Sequence, residues 1–244
     1  MTIMKTINRH LLILLLLVPL FISCNVDGEY VKRGNTICFS YWTFSFGTRY
    51  DTLPEVDVEN FKSIENWLGH DGKHVYFKAK LVPGADVSTI KAGKYPLFRD
   101  KNDYYYMNVP LHVTHVDAFV VLKSNEDDIW AKDSKYAYYD SIRINTVDVK
   151  SFKVKAWNTA VDSKYVYRFG KVLPLADPET YEEEWEGLYS RDKAHIWYMG
   201  ELLEDVDYAT FTVDGDDAHD KYGHFYRGER VSDEKWKEIM EQNK

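Results

Sequence analysis

The sequence predicts a mainly β chain built from tandem modules of about thirty residues. Three observations predict it: a recurring aspartate, an aromatic ring at a fixed distance after it, and a second aspartate further on. The first mark falls at Asp71, Asp100, Asp133, Asp162, Asp192 and Asp220, at intervals of 29, 33, 29, 30 and 28 residues. Five residues after each stands a ring: Tyr76, Tyr105, Tyr138, Tyr167, Trp197 and Phe225. The second aspartate is Asp86, Asp117, Asp148, Asp177 or Asp207, with a related Asp57 upstream. Self-similarity at such a period is the signature of a repeat architecture.

Each half of the module has a local physical reason. The dipeptides Asp71-Gly72, Asp100-Lys101, Asp133-Ser134 and Asp162-Ser163 carry turn chemistry. Short β-branched and aromatic runs follow them, such as Val75-Tyr76-Phe77, Tyr104-Tyr105-Tyr106 and Ile196-Trp197-Tyr198, and these read as strands. A second short apolar pair comes next, for example Leu81-Val82 and Leu202-Leu203.

Asp57, Asp86, Asp117, Asp148, Asp177 and Asp207 then read as N-caps of a single helical turn, each accepting from an otherwise orphaned N–H. The apolar residue before each cap pairs with one four positions after it as a hydrophobic staple, as in Val56/Phe61, Ala85/Ile90, Val116/Val121 and Val147/Phe152. Pro178 falls at the first helical position, where its missing N–H costs nothing.

The expected unit is therefore a β-hairpin repeat with one capped helical turn. Thirty residues with about six apolar side chains cannot offset ordering costs of ~1.5 kcal/mol per residue. The modules must stack, as an open solenoid or a closed, propeller-like ring. The expected organisation is a signal segment over 1–23, a linker over 24–29, a degenerate first repeat over 30–66, five repeats over 67–219, and a terminal partial repeat over 220–244. Ser232–Gln242 reads as a capping helix, with Trp236, Ile239 and Met240 on one face.

The beginning of the chain reads as an address. Lys5 and Arg9 precede an unbroken apolar run, Leu11–Ile22, which as a helix spans roughly 18 Å, against a hydrocarbon core of ~30 Å. It reads as the apolar core of a secretory signal. Ser23-Cys24 follows, resembling the cleavage box of bacterial lipoproteins, in which the cysteine is diacylated with palmitate-type chains; Phe21 departs from the usual Leu or Val. Cys24 is accordingly the expected lipidation site, and the expected location is a bacterial envelope membrane, outer or otherwise, on its periplasmic or surface face. Cys38, between Ile37 and Phe39, reads as a buried strand residue.

The tract Asp100-Lys101-Asn102-Asp103-Tyr104-Tyr105-Tyr106, the Gly84-Ala85-Asp86 turn and the Asp148-x-x-Ser151-Phe152 turn resemble the DKNYY repeat family. Gly72, Ser134 and Ser163 depart from the lysine typical of that family. The resemblance implies a bacterial, often lipid-anchored repeat protein and carries over no catalytic residue.

The 39 acidic residues outnumber the 31 basic ones, giving a net charge of −8, which argues against a nucleic-acid partner. No nucleotide-binding fingerprint, nucleophile elbow or zincin motif is present. Asp214–Asp220 lacks the ligand spacing of a calcium loop, and reads as a solvated turn. His112 and His115, three apart in extended chain, face opposite ways, and Glu182-Glu183-Glu184 reads as a solvated helical face. No metal or other cofactor and no catalytic residue is expected.

The 19 Tyr, 12 Phe and 7 Trp exceed what one small core needs. The ring five residues after each aspartate reads as core. The next residue faces the other way, and Phe77, Tyr106, Tyr139 and Tyr198 form the candidate ligand-binding row. The leading functional expectation is a lipid-anchored, non-catalytic binding or structural module of the envelope, touching the membrane through its lipid. A glycan-binding surface protein using exposed rings is the alternative, with a glycan or an envelope protein as partner. A hydrolase with dispersed carboxylates is the weakest reading.

Overall fold

Repeated short strands separated by turns have one economical arrangement, an antiparallel meander, and the described residues make seven of them. The computed structural model describes residues 28–125, 128–184, 188–215 and 217–242. The first sheet has three strands, Glu29–Arg33, Thr36–Thr43 and Gly47–Thr52. Six four-stranded sheets follow, each with its strands paired in chain order. They span residues 62–81, 91–110, 120–144, 153–172, 182–202 and 212–231. Helix Asp233–Gln242 closes the described chain.

The module is therefore four strands and not a hairpin. Each recurrent aspartate lies at the turn between the second and third strands, as Asp71 does between Leu68–His70 and Val75–Phe77. The sheets are thus out of phase with repeats counted from the aspartates, and the last aspartate, Asp220, ends the second strand of a complete sheet. Glu182–Glu184 is a strand paired with Tyr189–Arg191, in place of the expected helical face. Repeated acidic residues on an edge strand satisfy their backbone in the sheet while keeping the edge charged.

The third-to-fourth-strand turn has its own regularity. Lys78, Met107, Asp140, Phe169, Met199 and Arg227, each seven residues after an aspartate, all take a left-handed backbone, with φ between 49° and 55°. In the last three, the next residue is a glycine at positive φ, completing the twist that a two-residue hairpin demands. At Gly228, φ is +80° and an added Cβ would come 2.6 Å from the Tyr198 ring of the preceding sheet.

Apolar burial occurs between sheets. Val75–Phe77, Ala137–Tyr139, Thr159–Val161 and Val166–Arg168 are buried at every position, so both faces of these strands are covered. Each of six hydrophobic clusters unites consecutive sheets. Trp67, Leu68, Val75 and Phe77 meet Phe98 and Tyr105 of the next sheet. Leu97 and Tyr106 meet Ile129 and Tyr138, and Trp130 and Tyr139 meet Ala160 and Tyr167. Val161 and Val166 meet Trp197, Tyr189 and Ile196 meet Phe225, and Ile37 and Phe39 meet Tyr76.

The expected staples close at five of six positions: Val56 with Phe61, Ala85 with Ile90, Val147 with Phe152, Ala176 with Tyr181 and Val206 with Phe211 share clusters. At the terminus, Ser232 Oγ accepts from the Lys235 N–H at 3.2 Å, as an N-cap does. Ile239 is buried and Trp236 stacks on His224 at 4.4 Å, while Met240 is exposed.

Because the clusters are local, damage to one should stay local. Trp197→Ala removes a side chain with no exposed surface, at an expected cost of ~3–5 kcal/mol. Hydrogen exchange should show lost protection in Val166–Arg168 and Ile196–Tyr198, with Val75–Phe77 retaining theirs.

Candidate functional site

Six buried carboxylates dominate the chemistry of the chain, and the first question is what they do. Asp71, Asp100, Asp133, Asp162, Asp192 and Asp220 are all at most 6% exposed. In the first five, Oδ1 accepts from the backbone N–H groups two and three residues on, closing the turn between the second and third strands. In all six, Oδ2 accepts from an N–H well upstream, in the turn that leads into the same sheet. These donors are Asp57 at 3.0 Å, Asp86 and Thr114 at 2.7 Å, and Asp148, Asp177 and Asp207 at 2.8 Å.

A side-chain donor completes each site, and its identity varies. Tyr76, Tyr105, Tyr138 and Tyr167 donate their hydroxyls at 3.1, 2.9, 2.8 and 2.7 Å. Trp197 has no hydroxyl to offer Asp192, and His195 Nδ1 lies 3.2 Å from the carboxylate instead. Phe225 likewise offers none to Asp220, and Arg230 binds both oxygens, at 2.9 and 2.7 Å.

The titration of these groups follows from the geometry. Burial alone would raise the Asp71 carboxyl, but the N–H groups of Asp57, His74 and Lys73 overcome it and hold it well below the usual carboxylate range. The balance falls the same way at Asp100, Asp133, Asp162 and Asp192. At Asp220 the Arg230 hydrogen bond is the main cause of the lowering. Burial, and then the hydrogen bond to the aspartate, push the Tyr76, Tyr105, Tyr138 and Tyr167 phenols upward. These carboxylates are held ionised by fixed donors, which is the opposite of the raised, mobile proton of a general acid.

The second set of aspartates works at the surface. The Asp86, Asp177 and Asp207 side chains accept from the N–H of Ser88, Glu179 and Thr210, and Asp148 accepts from Lys150. Asp57 uses its side chain on the Asn60 amide at 2.8 Å. Lys101 pairs with Asp86 at 2.7 Å, Lys221 with Asp207 at 2.6 Å, and Lys193 with Asp177. Ser163 Oγ takes the lysine's place on Asp148 at 2.9 Å. The Lys101 hydrogen bond, with that of Ser88, lowers the Asp86 carboxyl to about 2.

Asp117 departs from expectation. The short helix Val116–Ala118 has no side-chain cap, and its N-cap residue is His115. The longer module shifts the register: Thr114 supplies the N–H to Asp133, and Val113 and Phe119 pack in the cluster, not Val116 and Val121.

Thr89, Ser151, Thr180 and Thr210 had no expected role. Each hydroxyl, three residues after a surface aspartate, accepts the N–H of Lys101, Ser163, Lys193 or Lys221. Their fixed Asp-x-x-Ser/Thr spacing was a readable signal.

The candidate aromatic row is not a surface. Phe77, Tyr106 and Tyr139 are buried and Tyr198 is half-buried. They pack against the neighbouring sheets, and the Tyr139 hydroxyl donates to Asp128. Cys38 is buried, its Sγ 3.7 Å from Thr52 Oγ1. Cys24 lies outside the described residues. Among the described residues, no cluster of three or more His, Cys, Asp and Glu could hold a metal ion. Asp214–Asp220 runs from the end of strand Thr212–Asp214 through strand Asp217–Asp220, and these two strands pair antiparallel inside the last sheet.

The surface does offer a concave site elsewhere. A groove of about 300 Å³ lies where the first three sheets meet, lined by Phe39, Tyr41, Phe77, Lys78, Tyr95 and Met107 among others. The Tyr95 and Phe77 rings stack at 6.0 Å, and the Lys78 ammonium sits 5.4 Å from the Tyr95 centroid and 5.9 Å from that of Phe39. A second groove, of about 390 Å³, runs between the fifth and sixth sheets beside Arg168, Trp197 and Met199. Tyr41, Lys78 and Tyr95 were not legible as a set because they come from three sheets.

The Asp–Lys–Asn–Tyr–Tyr string now has a structural meaning, with Asp100 tying the turn, Lys101 pairing with Asp86, Asn102 donating its N–H and Tyr105 its hydroxyl. The sequence model of the DKNYY family matches residues 3–109 and 111–199. The chain belongs to the DKNYY family. No curated protein and no solved structure matches it. In this DKNYY chain the aspartate and tyrosine of that string form an architectural device in four modules, and two later modules keep the aspartate while changing its donor.

Two outcomes test the device. Asp133→Ala should strand the N–H groups of Thr114, Lys135 and Tyr136 and the Tyr138 hydroxyl, costing ~3–5 kcal/mol in denaturant unfolding. Tyr138→Phe loses one bond to a charged acceptor and should cost only ~1.5–3 kcal/mol.

The pH profile has a definite sign. Carboxyls lowered by folding contribute stability above their unfolded pKa of ~3.9, which is lost as pH falls below that value. Phenols raised by folding contribute below their unfolded pKa of ~10, and that contribution is lost as pH rises above it. Thermal midpoints should fall on both sides of a broad plateau.

Proposed function

We propose that the protein is a lipid-anchored, non-catalytic binding or structural module of a bacterial envelope. Acyl chains on Cys24 hold it to the membrane, and ligand binds in the groove of Tyr41, Lys78 and Tyr95. The carrying observation is the use to which the recurrent carboxylates are put. All six accept from fixed backbone and side-chain donors that tie turns together, so the residues that define the repeat build a scaffold. The groove supplies apolar and aromatic walls with a few polar groups, Lys78, Asp51 and Asn108 among them, as a small binding site does. The seven sheets stand as a stack in which each interface contributes separately, in keeping with clusters that unite consecutive sheets.

A second reading has one observation in its favour. Tyr95, stacked with Phe77 at the groove and 37% exposed, presents a ring to which a sugar could stack. The ligand would then be an envelope glycan.

The anchor is tested by growing cells with an alkynyl fatty acid. The wild-type chain should take up the label and Cys24→Ser should not; equal labelling of both removes the anchor. For the groove, the purified chain is applied to an array of bacterial envelope glycans. Hits lost in Tyr95→Ala support glycan binding, while hits that survive it, or none at all, reject that reading. Turnover of any arrayed glycan would overturn the non-catalytic assignment.

A further inference from the structure

Among the described residues, the most exposed aromatic side chains lie on the hairpin of the first sheet, at the turn between Thr36–Thr43 and Gly47–Thr52. Phe44 is 93% exposed, Phe46 74% and Trp42 60%. The turn that displays them is built. The Phe46 N–H donates to Thr43 Oγ1 at 3.3 Å, Thr43 Oγ1 donates to the Gly47 carbonyl at 3.1 Å, and Gly47 takes φ +66°. Trp42 and Phe44 meet edge to face at 6.3 Å, and the Arg49 guanidinium lies 5.4 Å from the Phe46 centroid.

Two features say what covers this tip. The first is its place on the chain. Glu29 pairs with Ser40, three residues short of the turn, and strand Glu29–Arg33 runs away from it, so the described chain begins at the tip's end of the sheet. Cys24 is four residues before Gly28, a reach of at most about 14 Å. From Ser40 to Thr43 the strand advances about 10 Å towards the tip. An acyl chain on Cys24 thus brings a bilayer within reach of the exposed rings.

The second feature is charge. In a chain of net charge −8, residues 41–50 hold no acid and one base, Arg49. Tryptophan favours the headgroup region, phenylalanine the acyl boundary, and arginine can extend its stem along apolar surface while keeping its charge at the phosphates.

We infer that the tip Trp42–Gly47 is a membrane-docking element that enters the headgroup region of the bilayer in which Cys24 is anchored. The inference rests on the lipid-anchor reading. Docking adds a second contact to the acyl chains, fixing the orientation of the first sheet and placing the Lys78 groove near the membrane surface.

The test uses the full chain purified from membranes and reconstituted in vesicles of phosphatidylethanolamine and phosphatidylglycerol, with and without bromine on the acyl chains. The emission assigned to Trp42, taken as the difference between wild type and Trp42→Phe, should be blue-shifted and quenched by the brominated lipid. Phe44→Ser/Phe46→Ser should lose that quenching while still sedimenting with the vesicles, and Phe44→Leu/Phe46→Leu should keep it. Equal thermal midpoints for the serine and leucine variants show that folding is unaffected. Unquenched Trp42 emission in a chain whose N-terminal peptide carries acyl mass overturns the docking and leaves the anchor standing. An N-terminal peptide without acyl mass removes the anchor, whatever the quenching shows. Quenching that persists in the serine variant, or Trp42 protection that appears only when a second envelope protein is added, also overturns the docking.

Discussion

A carboxylate buried in a protein is costly unless its lone pairs are matched by donors. Here that requirement organises the chain. Strands of two to five residues have little pairing of their own to set their turns. The aspartate at the second turn meets the need by accepting two N–H groups from its own turn and one from the turn that enters the same sheet. A single side chain thereby holds the beginning of a sheet against its middle. Because the donors are backbone groups, the geometry is restored in each module even as the sequence around it drifts.

The fourth donor shows what is required and what is free. Tyrosine serves four modules, His195 serves Asp192, and Arg230 serves Asp220. The constant is a hydrogen-bond donor reaching a buried anion; the residue that supplies it can change. Where tyrosine is replaced by Trp197 or Phe225, the ring still fills the interface between sheets. The ring thus has two separable jobs, packing and donation, and the later modules divide them between two residues.

With turns tied from within, both faces of the central strands are available to neighbours, and the aromatic excess is spent between sheets. Exposed rings remain along the chain, and the most exposed of them, Phe44 and Phe46, lie on the first sheet. Among the described residues the first sheet has three strands and no aspartate tie, and it bears both the exposed Trp42–Phe46 tip and one wall of the groove. The departure from the repeat coincides there with the exposed tip and with one of the two grooves.

The sequence by itself determined the period, the β character, the turn at each aspartate, the surface caps at Asp86, Asp148, Asp177 and Asp207, and the C-terminal helix. Apart from the period itself, those are local properties, written in residue type and spacing within a few positions. It did not determine that Asp100 reaches back to the N–H of Asp86, that Phe77, Tyr106 and Tyr139 are covered, or that Thr114 displaces Asp117 in the longer module. Tertiary structure decided these, because burial depends on which sheet lies against which face, and a period-two pattern reads the same whether its second face meets water or another sheet.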